Sequence, residues 1–322
     1  MHRRNFIKGA AGAAVAWPLA ARAQQAWKVH RVGMLRIGSP PPSFLEPFRK
    51  GLRELGYVEE QNIVIEYGLA KSAAQLPEVA AALMRKKIDV LVASGTPSVM
   101  PARDAAGATP VVFVAAVDPV ATGLAASLPR PGGNITGVSA VYADVTGKRL
   151  QLLKEVLPNL SAVAILVRAA SPATTQHVSE AGDAARFLGL ALHVVSVSDP
   201  SELEEALAAA KAAGALLVMD DAVFTEHRSR IAELALKNRL ATMSGLRESA
   251  DSGGLMSYGL DYGALYYSAA KQVHLILKGA KPADLPIEQP TQFELVINLK
   301  TAQALNLEMP ATLLARANEV IE

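Results

Sequence analysis

The sequence contains no cysteine among its 322 residues. Disulfides, thiolate metal sites, cysteine nucleophiles and a lipid-modified cysteine are therefore excluded. The sequence also lacks the G-x-S-x-G, P-loop, G-x-G-x-x-G and H-E-x-x-H patterns that place a nucleophile, a phosphate, a dinucleotide or a zinc ion. The histidines beyond residue 23 show no metal-ligand spacing, and they are His30, His177, His193, His227 and His274. We therefore predict a protein that is not an enzyme and that uses no cofactor and no metal.

The N-terminus carries an export pattern. The twin arginine Arg3-Arg4 precedes a weakly apolar, alanine-rich stretch over residues 9–21, which ends in an A-x-A sequence at residues 21–23. This arrangement resembles a twin-arginine (Tat) signal, so we expect residues 1–23 to be removed and the mature chain to begin near Gln24. The stretch is shorter than the roughly 20 apolar residues that cross a bilayer, which argues against a membrane anchor. With no lipid-modified cysteine to tether it, the product is expected in the periplasm.

Charge is scarce and balanced. Residues 1–23 contain four basic residues and no acidic residue, so their removal takes the formal net charge from +2 to −2. The mature chain has no cluster of lysine and arginine, and it therefore offers no electrostatic footprint for a nucleic acid or an anionic membrane. We predict no nucleic-acid partner.

Short apolar runs alternate with amphipathic stretches along the mature chain. This alternation is typical of βαβ units around parallel sheets, and it predicts a doubly wound α/β fold. The strand candidates are residues 29–37, 63–67, 90–93, 111–115, 162–167, 192–197, 215–219, 255–258 and 293–297. The helix candidates are residues 44–55, 76–85, 202–213, 227–237 and 265–277.

A capping residue followed by proline marks several expected helix starts. The pairs are Ser39-Pro40, Thr96-Pro97, Asp118-Pro119, Ser171-Pro172 and Asp199-Pro200. A side-chain oxygen at the N-cap and a proline in the first turn both suit the unpaired amides of a helix N-terminus. Several pairs directly follow a predicted strand, so they place helix N-termini at the carboxyl ends of strands, where open α/β sheets bind ligands.

An internal echo suggests two halves. Residues 35–40, Leu-Arg-Ile-Gly-Ser-Pro, recur in form as residues 167–172, Val-Arg-Ala-Ala-Ser-Pro. Each copy ends the first strand expected in its half, which suggests a structural repeat. The turn-rich residues 129–134 are the expected boundary between the halves.

Two long motifs resemble a known family. Residues 118–124 (DPVATGL) and 128–138 (LPRPGGNITGV) are similar to the hallmark of the ABC transporter substrate-binding family that includes tryptophan- and phenylalanine-binding members. Residues 293–298 (FELVIN) and 313–321 (LLARANEVI) are similar to the ending of that family. The resemblance covers essentially the whole mature chain.

The resemblance implies a type I periplasmic-binding-protein fold, in which two Rossmann-like lobes with parallel sheets are joined by a multi-crossover hinge. We expect residues 27–140 and 260–280 in lobe one, and residues 141–259 and 281–322 in lobe two. The implied ligand is a small organic molecule, such as an amino acid or an aromatic or other small carboxylate. The implied partners are an ABC permease and ATPase, and the protein itself is expected to be a monomer.

Candidate ligand residues lie where expected strands end. Ser94, Thr96 and Ser98 follow one strand and open a helix, whose free amides suit a carboxylate; plain capping by Thr96 is the alternative. Asp118 follows the next strand and could hold a ligand ammonium or act only as a cap. In the second half Asp220 and Asp221 follow a strand, with one expected to cap and the other to face the cleft.

Two tyrosines, two arginines and one further aspartate complete the candidates. Tyr142 and Tyr258 lie near expected crossovers and offer an apolar face with a polar tip, although core packing is equally open. Asp261 could contact ligand or cap the helix that follows it. Arg36 and Arg168 occupy matching places in the two halves and could hold a carboxylate through two hydrogen bonds, with surface exposure as the default. The related family more often has asparagine near Arg168.

Two other functions stay open at this point. An exported α/β enzyme is one, since Tat export often serves cofactor-loaded enzymes. A ligand-sensing protein that presents its closed form to a membrane receptor is the other, and the sequence does not separate it from an importer subunit.

Overall fold

The computed structural model describes residues 29–140, 145–169, 174–290 and 293–322. The first sheet has five strands in the order β2-β1-β3-β4-β5, and all of its pairs are parallel. The strands are β1 (His30–Ile37), β2 (Ile63–Ala70), β3 (Val90–Ser94), β4 (Val111–Val117) and β5 (Ile135–Ala140). The central strands are buried on both faces, which explains their continuous apolar runs.

The second sheet has seven strands in the order β12-β11-β10-β9-β8-β6-β7. The strands are β6 (Ala162–Arg168), β7 (Ala191–Val197), β8 (Ala215–Val218), β9 (Ala241–Ser244), β10 (Met256–Leu260), β11 (Phe293–Asn298) and β12 (Glu319–Ile321). Strand β11 is antiparallel to β10, and the other pairs are parallel. Strands β6 to β10 repeat the order of β1 to β5, so the topology agrees with the internal repeat suggested by the sequence.

Helices cover both faces of each sheet. They are α1 (Pro42–Glu54), α2 (Leu76–Met84), α3 (Thr96–Ala106), α4 (Val145–Val156), α5 (Thr174–Phe187), α6 (Leu203–Ala209), α7 (Ala222–Glu226), α8 (Arg228–Lys237), α9 (Arg247–Asp251), α10 (Tyr262–Leu277), α11 (Leu299–Ala304) and α12 (Ala311–Leu314). Short 3-10 turns occupy Ala73–Gln75, Pro200–Glu202, Ala210–Ala213 and Pro282–Asp284. None of the helices in the described ranges is long and apolar enough to cross a membrane.

Each sheet with its helices forms one lobe, and each lobe has two cores. In the first lobe, α1 and α10 pack on one face of the sheet, where Phe48 and Tyr266 are fully buried, and α2 and α3 pack on the other. In the second lobe, α4 and α5 cover one face and α6 and α8 cover the other. The predicted two-lobed α/β class is therefore confirmed.

The chain returns to the first lobe after β10. Helix α10 packs against α1 and β4 of that lobe. Residues 285–288 then run beside β5, where Glu288 donates its N–H to Gly137 at 3.0 Å and accepts from the N–H of Ser139 at 2.8 Å. The expected division placed everything from residue 281 in lobe two, whereas these backbone bonds hold residues 285–288 to the first sheet. The crossing to β11 comes after them.

Sequence patterns located strands better than caps. Each predicted strand is present, but β5, β9 and β12 were not predicted, and residues 129–134 precede β5 and are not the boundary between lobes. The N-cap of α1 is Pro41, two residues after Ser39, and no side chain caps it. Asp199 does cap its 3-10 turn, accepting from the N–H of Ser201. Ser171 lies outside the described residues.

Candidate ligand-binding site

Arg36 lies at the carboxyl end of β1, an interior strand of the first sheet. Its residue is only 8% exposed, so the expected surface position is wrong. The guanidinium lies 5.9 Å from the centre of the Phe44 ring, and Nε donates to the carbonyl of Ile37 at 3.1 Å. Nη1 is buried and has no hydrogen-bond partner among the described residues. A buried cation with an unused donor favours a negatively charged group beside it.

Phe44, the aromatic ring beside Arg36, belongs to a cluster of three rings. Phe44 stacks on Tyr262 at 4.9 Å between ring centres and on Tyr266 at 5.4 Å. The hydroxyl of Tyr266 is hydrogen-bonded to Oγ of Ser94 at 2.5 Å. These contacts join α1, α10 and the end of β3 into one wall of aromatic and hydroxyl groups. The sequence did not single out Phe44 or Tyr266, because their proximity depends on α10 returning to the first lobe.

The residues after β3 do not cap α3 as expected. The N-cap is Gly95, and Thr96 is the first helical residue. Thr96 Oγ1 accepts from the backbone N–H of Val117 at 3.1 Å, which ties α3 to the end of β4. Ser98 is fully buried, and its hydroxyl has no partner in the described ranges. The N-terminal turn of α3 is therefore not capped by any side chain and lies beside the carboxyl edge of the sheet.

Asp118 begins a turn and not a helix. Its φ is +37°, and Oδ1 accepts from the N–H of Ala121 at 2.9 Å. The side chain lines a cavity of about 960 Å³ that is bounded by residues of both lobes, including Ser139 of β5 and Thr146 and Gln151 of α4. Of the predicted site residues in the described ranges, Asp118 alone lines this cavity.

Asp220 is part of a buried ion pair in the second lobe. Nη2 of Arg149, on α4, lies 3.1 Å from Oδ2 of Asp220, and Nε of Arg149 donates to the carbonyl of Tyr258 at 2.8 Å. The Arg149 side chain is 3% exposed and that of Asp220 is 19% exposed. Gly245 allows this packing, because a Cβ there would lie 2.1 Å from Nη2 of Arg149. Arg149 was not among the predicted residues.

Asp221 and Asp261 act as caps. Asp221 accepts from the N–H of Val223 at 2.8 Å at the start of α7, and Asp261 accepts from Ala264 at 2.9 Å at the start of α10. The capping alternatives for both residues are confirmed. Nε of Arg168, at the end of β6, lies 3.9 Å from Oδ1 of Asp221 and makes no hydrogen bond in the described part of the chain.

The two predicted tyrosines have different outcomes. The ring of Tyr258 stacks on Phe293 of β11 at 5.7 Å, with 20° between the ring planes. This contact joins β10 to β11 near the point where the chain crosses between lobes. Tyr142 lies outside the described residues. No group of three or more metal-ligating side chains occurs among the described residues.

Parallel strands end with arginines, carboxylates, hydroxyls and aromatic rings on both lobes, an arrangement that defines a two-lobed α/β binding protein of the type I periplasmic kind. The sequence profile of the "ABC transporter substrate binding protein" family matches residues 43–321. The chain belongs to this family.

Two related proteins are described with amino-acid ligands. The chain is 27% identical over 263 residues to a tyrosine-binding protein of Clostridioides difficile, covering 81% of this chain and 76% of that protein. It is 25% identical, with a TM-score of 0.81, to a Streptococcus pneumonia ABC domain solved in complex with L-Trp, covering 91% of this chain and 100% of that one. The ligand-free, open structure of a Clostridium difficile substrate-binding protein with adhesive properties matches at 23% identity and a TM-score of 0.66, covering 91% and 99%, and it shows the fold alone.

Proposed function

We propose that this chain is the exported solute-binding subunit of an ABC importer. It captures a small organic molecule with a carboxylate, either an amino acid or an aromatic or other small carboxylate, in the cleft between its lobes. The observation that supports this most is Arg36, a buried guanidinium with an unused donor beside Phe44, which stacks on two tyrosines. The tyrosine and tryptophan ligands of the relatives support the amino-acid alternative.

In this proposal the first lobe binds the carboxylate. Arg36 donates hydrogen bonds to it, and the uncapped N-terminus of α3 adds backbone donors and partial positive charge. The Phe44 and Tyr262 stack offers an apolar surface of the kind that suits an aromatic or aliphatic side chain.

The second lobe would bind the opposite end of the ligand. Arg149 orients Asp220, whose other oxygen is then free to accept from a ligand ammonium or hydroxyl. The remaining proposed contacts are Ser94, Thr96, Ser98, Asp118, Tyr142, Arg168, Asp221, Tyr258 and Asp261. The capping and packing roles of several of these residues leave one oxygen of each carboxylate for a ligand.

Transport follows from lobe closure in this proposal. Ligand binding closes the lobes by bending the crossovers, and a permease with its ATPase recognises the closed form of a monomeric binding protein. The chain itself catalyses nothing. Export through the Tat pathway to the periplasm is supported by Arg3-Arg4 and the A-x-A sequence at residues 21–23. Normal export of an Arg3→Lys, Arg4→Lys double variant would contradict the Tat assignment.

A thermal-shift panel tests the ligand class. It should contain L-tyrosine, L-tryptophan and L-phenylalanine, their decarboxylated amines, and 3-phenylpropanoate as an acid without an ammonium. A ligand at about 100 times its Kd adds about 2.7 kcal/mol to the free energy of unfolding. We expect stabilisation by one or more of the carboxylates and none by the matched amines. Equal stabilisation by an acid and its amine would contradict carboxylate recognition.

Arg36→Gln tests the residue itself. Loss of a hydrogen bond to a charged group costs about 1.5–3 kcal/mol, so the affinity should fall roughly ten- to a hundredfold. Arg85→Gln, which alters an exposed arginine after α2, is the matched control and should bind as the wild type does.

A further inference from the structure

Glu248 makes a contact between the lobes that ligand recognition does not use. It lies on α9 of the second lobe, is 5% exposed, and its Oε1 accepts a hydrogen bond from Oγ of Ser43 on α1 of the first lobe. The preceding Leu246 packs in the core of the first lobe with Leu260 and Leu265. The N-terminal part of α9 therefore lies against the first lobe, beside the crossover from β10 to α10.

Two carboxyl groups at this contact have unused oxygens. Oε2 of Glu248 and Oε1 of Glu294 are buried and have no hydrogen-bond partner among the described residues. Glu294 lies on β11, directly opposite Gly259 of β10, two residues before Asp261 opens α10. An ionised carboxylate with an unsatisfied buried oxygen is costly, whereas the protonated form reduces that cost.

The charged groups around these acids do not balance. Arg247 is shared by three carboxylates, with Nη1 at 3.4 Å from Glu294, Nη2 at 2.6 Å from Glu319 and Nε at 3.5 Å from Asp251. The negative charge of Asp261 also raises the pKa of Glu294. The single guanidinium of Arg247 therefore faces these three carboxylates and Glu248. The net charge of the group is negative when the acids are ionised.

Burial and charge both favour protonation here. The pKa of Glu294 is raised to about 7, mainly by burial; Asp261, Glu248 and Glu319 contribute to the rise, and Arg247 opposes it. Burial also raises the pKa of Glu248; the hydrogen bond from Ser43, the backbone amide of Glu248 and Arg247 oppose this, and Asp251 adds to it.

We infer that the contact between Ser43 and Glu248 is a proton-dependent latch between the lobes. The latch forms when the Glu248 carboxyl is protonated, and ionisation weakens it, because burial at the contact costs the ionised form more than the hydrogen bond from Ser43 offsets. This inference rests on the lobe closure proposed above. Since burial raises the pKa of Glu248 above its ordinary value of 4.5, the contact is favoured at low pH and weakens as the pH rises above that value.

Single-molecule energy transfer between the lobes tests the latch without a ligand. The chain has no cysteine, so dyes on Arg85→Cys in the first lobe and Lys211→Cys in the second would be the only thiol labels. Both positions are exposed and their side chains make no recorded ion pair. The population of the short-distance state should fall as the pH rises from about 5 to about 8.

Variants separate the latch from general effects of pH. Glu248→Gln keeps the shape and cannot ionise at position 248, so its distance distribution should depend on pH less than that of the wild type. Ser43→Ala should favour the long distance even at low pH. Glu78→Gln, which alters an exposed acid on α2, is the control and should behave as the wild type does.

Two results would overturn the latch. If the wild type exchanges between distances with the same populations at every pH, the latch is wrong and lobe closure stands. If one fixed distance is seen at every pH and in saturating L-tyrosine, L-tryptophan or 3-phenylpropanoate, both the latch and closure are wrong.

Discussion

Arg149 holds the carboxyl edge of the second sheet together, although nothing in its sequence context marks it. It lies among ordinary helical residues of α4, and its partners Asp220 and Tyr258 are 71 and 109 positions away. The paired aspartates after a strand were predictable, because strand ends in α/β folds are where polar groups collect. Arg149, the counterion of Asp220, was not predictable, because its choice of partner depends on how α4 packs on the sheet.

Removal of the Arg149 charge should destabilise the protein strongly. Arg149→Leu leaves the carboxylate of Asp220, which is 19% exposed, without its counterion. Loss of one partner from a buried pair costs about 3 kcal/mol or more. Urea unfolding should show this as a lower free energy of unfolding.

An exposed pair gives the matched control. Arg186→Leu removes an arginine whose side chain is 76% exposed from its pair with Asp183. This change should cost less than about 1 kcal/mol, because exposed pairs contribute little. Equal losses in the two variants would show that the Arg149 pair is not structurally important. Adding Asp220→Asn to Arg149→Leu should recover part of the lost stability.

Glu294 should make stability depend on pH. Burial raises its pKa from an ordinary value of 4.5 to about 7, which corresponds to about 3 kcal/mol. Between these two pH values the unfolded chain ionises this group while the folded protein keeps the proton, so stability falls as the pH rises. Glu294→Gln should remove this loss, and the variant should gain on the wild type by up to about 3 kcal/mol between pH 4.5 and pH 7.

Denaturant unfolding at a series of pH values measures this difference. Glu78→Gln again serves as the control, since that exposed acid should leave the wild-type pH dependence unchanged. Parallel pH profiles for the wild type and Glu294→Gln would contradict the raised pKa.

The elements that sequence analysis located and those it missed differ in one physical respect. Buried central strands such as β3 and β4 are continuous apolar runs, and they can be predicted from their own sequence without knowledge of the strands beside them. Strand β5 contains a glycine, a serine and a threonine, and β9 has four residues, two of them hydroxylated. Their polar groups are satisfied by tertiary contacts, as when Ser139 donates to the carbonyl of Ala116. The hydrophobic periodicity and the composition of these segments therefore did not predict β5 and β9.

Helix starts were less predictable for a related reason. A serine or an aspartate before proline suits an N-cap, but it equally suits a turn or a bond to another strand. Asp118 forms a turn, and Thr96 bonds to the end of β4. The polar groups at the strand ends were predicted in outline, because their location follows from topology; their contact with a ligand stays a prediction. The aromatic wall and Arg149 were not predicted, because they depend on long-range packing.

The close approach of β10 to the segment after β9 depends on Gly259. A Cβ at this position would lie 1.9 Å from the carbonyl oxygen of Gly245. Backbone cannot move aside as a flexible side chain can, so Gly259→Ala should destabilise the protein by about 1–3 kcal/mol. Thermal or urea unfolding would measure the loss.

Gly182, in contrast, is a helical glycine whose replacement by alanine should stabilise the protein. It lies on α5 with no positive φ, and a Cβ there would meet only Leu192 at 3.9 Å. Alanine lowers the entropy of the unfolded chain, so Gly182→Ala should stabilise the protein by about 0.5–1 kcal/mol. If both variants were stabilised, the tight packing at Gly259 would be wrong.

The whole molecule consists of two lobes. The two sheets share a five-strand order, and the second sheet has β11 and β12 in addition. The hydrophobic clusters of the second lobe contain no residue of the first sheet, whereas one core of the first lobe includes Leu246 and Leu260 from beside the crossover. The link that is best defined is the short passage through Asp261 from β10 to α10. Lobes whose cores meet only beside the crossover can rotate as rigid bodies, with the dihedral change confined to the links.

Small-angle scattering should detect this rotation. Binding of a ligand confirmed by the thermal-shift panel should lower the radius of gyration if, as proposed, the ligand contacts Arg36 on one lobe and Asp220 on the other and draws the lobes together. The measurement should be made at about pH 6 and again at about pH 8, so that any effect of the Glu248 contact is separated from that of the ligand. Arg36→Gln at the same ligand concentration is the control and should keep the ligand-free value. An identical radius of gyration with and without bound ligand at both pH values would refute closure as the output of binding.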